Sequence, residues 1–307
     1  MERLEKLLRE RCPELELRRD EPMSRHTSFR IGGPVPLMAL PHTEVEVQEI
    51  LSAAVLEAGV TPFFMGNGTN LLVDDEGADL FVVKAFRGLD RLELAEEGEW
   101  PGRRTIVAGS GVLLTQLANF AMEHGLTGLE FAHGIPGTVG GAVTMNAGAY
   151  GGEISQALSS VTSVSLPSEE LIRERDFQFS YRHSIYQERR EFILRASFTL
   201  EPGDPAVIKA RMDELAVKRR EKQPLEYPSA GSMFKRPPGH FAAALIDQCG
   251  LKGFTVGGAQ VSAKHAGFVV NRGGATCADV LELVDRVKEE VLRQTGVELE
   301  MEVKVLR

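Results

Sequence analysis

Glycine-rich segments are the first places where this sequence could do chemistry. Gly66-Asn67-Gly68-Thr69-Asn70 and Gly109-Ser110-Gly111 both stand at the ends of strand-like runs. Glycine lets the backbone approach a phosphate, and a turn can aim several N–H groups at one anion. Neither loop has the third glycine and following helix of a Rossmann fingerprint, and no Gly-x-x-x-x-Gly-Lys-[Ser/Thr] occurs. A nicotinamide-binding Rossmann domain and a P-loop nucleotidase are therefore disfavoured. Taken alone, each loop is equally readable as an ordinary tight turn. A third segment, Gly134 to Gly152, carries no charged residue. It reads either as a backbone-lined groove for a large, flat, phosphate-bearing ligand or as a packed, turn-rich core segment. Cys12, Cys249 and Cys277 form no Cys-x-x-Cys pair, and no His/Cys/Asp group has metal-ligand spacing, so no metal and no disulfide framework is expected.

Composition limits the setting of that chemistry. The 307 residues suggest two domains, or three small ones, and 43% hydrophobic against 26% charged residues is ordinary for a globular chain. Lys plus Arg number 35 and Asp plus Glu 44, giving −9. Such a balance repels nucleic acid and anionic membrane, so an anionic ligand needs a local basic pocket. One candidate lies between Lys209 and Arg236, where eight basic residues face four acidic ones, although a solvated helix face would account for many of them. No apolar run approaches the ~18 residues of a membrane span, and residues 1–10 form an amphipathic helix pattern without a secretory apolar stretch. A cytoplasmic protein is expected.

The elements that must position these residues can be sketched. Thr43 with Glu46 is a capping box opening a helix striped by Val47, Ile50, Leu51, Ala54 and Val55. Strands are expected at Pro62–Met65, Leu71–Val73, Leu80–Val83, Thr105–Ala108, Ser160–Leu166 and Phe192–Leu200, and a helix at Leu113–His124. Glycine is too dense from 125 to 152 for regular elements. Asp204-Pro205 opens a helix to about Lys222, a second helix spans His240–Gln248, and a third begins at Thr276 and ends before Gly296. Val297, Leu299, Met301, Val303 and Val305 alternate with Glu298, Glu300, Glu302 and Lys304 as a last strand. The mixture is α+β.

Gly134 to Gly152, followed by Glu153, closely resembles the flavin-binding stretch of the UDP-N-acetylenolpyruvoylglucosamine reductase family. Other segments similar to that family occur in its order: Thr27–Gly33, Gly66–Val73, Ser180–Ile185, Pro228–Lys235, Leu251-Lys252-Gly253 and Leu299–Val303. The resemblance implies an N-terminal arm at 1–26, an FAD-binding domain of the vanillyl-alcohol oxidase-like type at 27–200, and a substrate-binding domain at 201–307. It implies that NADPH reduces FAD, which then reduces the enolpyruvyl group of UDP-N-acetylglucosamine enolpyruvate to give UDP-N-acetylmuramate for peptidoglycan. The short segment after Arg182 looks like the subgroup without an extra substrate-covering loop. Thr69 stands where Ser is usual, and Arg236 where Asn is common.

By the same resemblance FAD contacts are expected from Ile31, from Gly66, Asn67, Gly68, Thr69 and Asn70, and from the third segment at Gly134, Ile135, Pro136, Gly137, Thr138, Gly140, Gly141, Ala142, Asn146, Ala147 and Gly148. Arg182 is implied to hold the substrate carboxylate, Ser232 to donate a proton, and Glu302 to work beside the carboxylate with a raised pKa. Tyr181, Lys222, Gly231, Lys252 and His265 are implied substrate contacts. Seen without the family, Arg182 is a surface arginine for Glu188 or Glu191, Ser232 is a turn serine, and Glu302 is inseparable from Glu298 and Glu300. An oxidase on the same scaffold is a competing reading, but Gly32-Gly33 is followed by Pro34 rather than by the His that tethers flavin in several such oxidases. A non-catalytic binding module would not be expected to keep Arg182, Ser232 and Glu302 together.

Overall fold

The computed structural model describes residues 1–95, 101–165, 171–189 and 191–307. Two compact units emerge, each assembled from separated stretches of chain. The first contains Met1–Arg19, Leu37–Asn67 and Leu80–Lys218; the second contains Asp20–Pro36, Gly68–Asp79 and Arg219–Arg307.

In the first unit the Thr43 capping box closes as expected: Thr43 Oγ1 accepts from Glu46 N–H at 3.1 Å, and Glu46 returns a carboxylate oxygen to Thr43 N–H at 3.0 Å. The helix Glu44–Leu51 then widens into a π-helical turn at Ser52–Glu57. Pro62–Met65 and Pro34–Leu40 each pair in parallel with Phe81–Lys84. A second sheet, with Leu171–Glu174, Leu158–Ser165, Glu191–Pro202, Arg104–Gly109 and Leu92–Leu94 in that order, is antiparallel throughout. Leu166, the expected end of one of these strands, lies outside the described residues. Two cores fill this unit: one around Ile106, Leu117, Val143 and Phe198, the other around Leu8, Ile50, Phe81 and Leu194.

Glycine density between 125 and 152 did not exclude regular structure. Val139–Met145 is helical and ends at Asn146 in the left-handed region, φ +43. Gly140 inside it serves a close approach: a Cβ there would stand 3.0 Å from Ser110 Cβ.

In the second unit, Cys277–Thr295 buries Val280, Leu283, Val284, Val287 and Val291 and stops at Gly296, φ +73. It packs with Ala242–Gln248 and with the small antiparallel sheet of Thr255–Val256, Ala259–Val261 and Val269–Asn271. The expected strand 297–305 keeps its alternation, since Leu299 and Val303 are buried while Glu298 and Glu300 are exposed. Only Lys304–Leu306 is strand, however, paired in parallel with Leu71–Val73. The reason is a change of partner: at Met301 the chain is bridged to Phe234 instead.

Candidate functional site

In the first unit, the strand Pro62–Met65 delivers Gly66 and Asn67 onto the segment 134–148. Asn67 Nδ2 donates to Pro136 O at 2.7 Å. A Cβ on Gly66 would lie 2.1 Å from Thr138 Oγ1, so only glycine permits this approach. The Gly109-Ser110-Gly111 loop forms the other wall, with Gly140 N–H donating to Ser110 O at 2.9 Å and Val139 N–H to Val112 O at 2.8 Å. Thr138 and Ser110 are each 1% exposed, and neither hydroxyl has a hydrogen-bond partner among the described residues. Leaving a buried hydroxyl unpaired costs about 1–3 kcal/mol, so two of them beside a glycine cradle point to a ligand with acceptor oxygens. The donor set fits the diphosphate of FAD. Ser110 lies in the Gly109-Ser110-Gly111 loop that the sequence offers as a phosphate-approaching turn, although no cofactor contact was expected from it by residue.

Further along the same segment, Ala142 is buried in the core, and Asn146 serves the fold: its Nδ2 donates to Ser180 O at 3.1 Å and its Oδ1 accepts from Ser155 N–H at 3.0 Å. Gly134, Pro136 and Gly151 are exposed, while Ile135, Gly137, Gly141, Ala147 and Gly148 are half-buried. This segment is therefore both core and groove, which is why its composition admitted two readings.

Arg182 is held against it. The residue sits at φ +58, and its guanidinium donates to Gly148 O at 3.0 Å and Asn146 O at 3.5 Å while stacking 5.0 Å from the exposed Tyr181 ring. Gln187 Nε2 clamps the loop by donating to Arg182 O and Thr144 O, at 2.8 and 3.0 Å. The carboxylates a surface arginine would use are engaged elsewhere. Glu188 meets His183 at 2.9 Å, and Glu191 accepts from Ser163 at 2.7 Å.

In the second unit, Ile31 is 2% exposed and part of the core, leaving only its backbone for a cofactor; its carbonyl already accepts from Thr27 Oγ1 at 3.0 Å. Gly68 is buried at φ +62, its carbonyl accepting from Ser28 N–H at 3.1 Å, and Thr69 is half-buried. Asn70 is a fastener: Nδ2 donates to Glu302 O at 3.2 Å and its own carbonyl accepts from Lys304 N–H at 3.0 Å.

That fastening helps set Glu302 against the Ser232 segment. Glu302 N–H donates to Met233 O at 2.9 Å, and Lys235 N–H to Glu300 O at 2.8 Å. Ser232 follows Gly231, whose φ of +79 with open space around it calls for glycine on backbone grounds alone. The Ser232 hydroxyl donates to Phe234 O at 3.2 Å. Among the three glutamates of the terminal segment, Glu298 and Glu300 are exposed and Glu302 is half-buried. Glu300 is paired with Lys235. Burial thus separates glutamates that pattern alone could not.

Lys222, Lys252 and His265 come together in this unit. Burial pushes the His265 imidazole below its ordinary value, and the positive fields of Lys252 and Lys222 push the same way. His265 Nδ1 accepts from Gly267 N–H at 3.2 Å, and Lys252 is also paired with Asp247 at 2.6 Å. Among the described residues, no group of three or more His, Cys, Asp or Glu is placed to hold a metal ion, and no helix is long and apolar enough to cross a membrane.

Residues 35–173 match a family described as an FAD binding domain, and residues 223–306 match the UDP-N-acetylenolpyruvoylglucosamine reductase C-terminal domain. The UDP-N-acetylenolpyruvoylglucosamine reductase of Agathobacter rectalis is 48% identical, over 98% of this chain and 97% of its own. That of Caldanaerobacter subterraneus subsp. tengcongensis is 47% identical, over 97% and 96%. The crystal structure of UDP-N-acetylenolpyruvylglucosamine reductase from Thermus caldophilus superposes with a TM-score of 0.79 at 33% identity, covering 96% of this chain and 99% of that one. With identity of this level running end to end, the chain belongs to the UDP-N-acetylenolpyruvoylglucosamine reductase family.

Proposed function

We propose that this chain is a cytoplasmic, FAD-containing oxidoreductase that uses NADPH to reduce the enolpyruvyl group of UDP-N-acetylglucosamine enolpyruvate to UDP-N-acetylmuramate, a step of peptidoglycan precursor synthesis. The observation that carries this reading is family membership over 98% of the chain. FAD, when bound, supplies the hydride chemistry.

The residues of the chain do the rest. The Gly66-Asn67 turn, Thr138 and Ser110 hold the cofactor phosphates with backbone and hydroxyl donors. Hydride addition to an enol ether that bears a carboxylate drives negative charge into that carboxylate. A planar guanidinium is suited to meet it, and Arg182 is pre-set by its two carbonyl contacts, so little ordering remains to be done on binding. Ser232 delivers the proton to the α-carbon, its hydroxyl turning away from Phe234 O to do so. A hydroxyl is a weak acid, so the step relies on the basicity of the enolate. Glu302, half-buried, works beside the substrate carboxylate. Lys222 and Lys252, with the neutral His265 beside them as a hydrogen-bonding group, form the basic patch required by a diphosphate substrate in an acidic chain. Tyr181 and Gly231 complete the substrate contacts.

An anaerobic absorbance spectrum tests the whole reading. The purified protein is expected to be yellow, to bleach with NADPH, and to recover its colour only when UDP-N-acetylglucosamine enolpyruvate is added. A protein that cannot be loaded with FAD refutes the flavin assignment. A bleached flavin indifferent to the enolpyruvyl substrate refutes the reaction.

A further inference from the structure

The second unit contains a groove that none of the roles above uses. Arg30, Tyr227, Pro228, Asn271, Arg272, Gly273 and Gly274 line an open recess of about 390 Å³. Small-ligand sites occupy roughly 300–1,000 Å³, so the recess has more room than inorganic phosphate alone needs.

The walls are built around one buried side chain. Asn271, 7% exposed, donates from Nδ2 to Phe29 O at 3.2 Å, and its Oδ1 accepts from Gly273 N–H at 2.9 Å and Ala275 N–H at 3.2 Å. Its own N–H donates to Pro228 O at 2.9 Å. Three separate stretches of chain are thereby fixed at the recess. Arg30 is held at φ +56 by the bond from its N–H to Thr27 O, 3.1 Å. A bulky residue in the left-handed region is uncommon and tends to mark a functional position.

The charge of the recess is uncompensated. It is lined by two arginines and no carboxylate, in a chain of net charge −9. Among the described residues neither Arg30 nor Arg272 has an ion-pair partner, whereas most of the chain's exposed arginines do. Arg272 stacks 4.2 Å from the Tyr227 ring. Stacking occupies the face of a guanidinium and leaves its in-plane N–H donors free for an oxyanion.

We propose that this groove binds the phosphoryl groups of a nucleotide, with Arg30 and Arg272 as the paired donors and Tyr227 as the aromatic wall. The nucleotide is either a separate ligand or the UDP moiety of the substrate, since the stretch Tyr227–Ser232 can span at most ~18 Å.

Isothermal titration of the FAD-loaded protein with pyrophosphate and with ADP at low salt tests this. Arg30→Gln and Arg272→Gln should each weaken binding about tenfold, the double variant should abolish it, and Arg3→Gln, on the N-terminal helix, should change nothing. Flavin content and the thermal midpoint report that the variants are folded. A parallel rise in KM for the UDP substrate assigns the phosphates to it; an unchanged KM with lost ADP binding assigns a separate nucleotide. The proposal is overturned if wild-type protein gives no heat at millimolar pyrophosphate, if the double variant binds as wild type does, or if Arg3→Gln weakens binding equally. The NADPH bleaching reaction is scored separately, so failure here leaves the reductase assignment standing.

Discussion

Gly66→Ala places one methyl group where the structure leaves no room for it. The added Cβ would be 2.1 Å from Thr138 Oγ1, with Thr138 Cβ and Cγ2 already at 3.3 and 3.4 Å. An ordinary contact needs ~3.4 Å, so one wall must retreat by more than ~1 Å. Thr138 is 1% exposed and β-branched, and turning its hydroxyl aside tends to swing Cγ2 into the same gap. Overpacking of this kind costs about 1–3 kcal/mol, which for a chain of this size lowers the thermal midpoint by several degrees. The shift also pulls Asn67 from Pro136 O, so FAD affinity should fall about tenfold or more. Thermal unfolding of the apoprotein and a fluorescence titration with FAD measure the two effects independently. The double variant Gly66→Ala/Thr138→Ala removes the atom that is struck, so it should regain stability relative to Gly66→Ala without regaining FAD affinity. Gly141→Ala is the contrast: its Cβ would meet Thr138 Oγ1 at 3.6 Å, an ordinary distance, and thermal stability should hold. If Gly66→Ala matches wild type in both assays, the cradle argument is wrong. If the double variant is no more stable than Gly66→Ala, the clash is not with Thr138.

Three further expectations concern the chemistry and its surroundings. Ser232→Ala should let NADPH bleach the flavin normally while turnover with the enolpyruvyl substrate falls by ~10² or more, and unchanged turnover would remove Ser232 from the mechanism. Glu302→Ala should lose rate, whereas Glu300→Ala, at a side chain 72% exposed and paired with Lys235, should be nearly silent; the reverse would move the functional glutamate two residues back along the same segment. Burial, reinforced by Asp75 and Asp74, pushes the Cys277 thiol up to about 11. Its folded-state value is raised, so its contribution to stability is complete below the ordinary thiol range and is lost as pH rises toward 11. Thermal midpoints between pH 8 and 11 should therefore decline less steeply for Cys277→Ala than for wild type, and equal slopes would refute this.

How much of this was legible in the sequence depends on the range of the interactions involved. Caps and stripes are local, so the Thr43 box and the apolar face of Cys277–Thr295 could be read from spacing alone. The α+β class and, through the ordered motifs, the family were likewise carried by the residues themselves. Motif register also selected Glu302, but only burial gave that choice a physical basis. The helix Val139–Met145 was hidden because its Gly140 answers to Ser110, a residue distant in sequence. The terminal strand was cut short for a similar reason, its partners being Phe234 and Leu71–Val73.

The sequence by itself determined which groups are present: glycines where backbone must come close, an arginine, a serine and a glutamate in family register, and a net negative charge that a phosphorylated substrate must overcome. Tertiary structure alone decided which of these groups meet. It left the Thr138 and Ser110 hydroxyls without partners among the described residues, turned Arg182 toward two carbonyls, tied Asn70 to Glu302, and set Arg30 and Arg272 on one recess. These pairings join residues from 34 to more than 200 positions apart, and no periodicity or local propensity encodes a contact at such range.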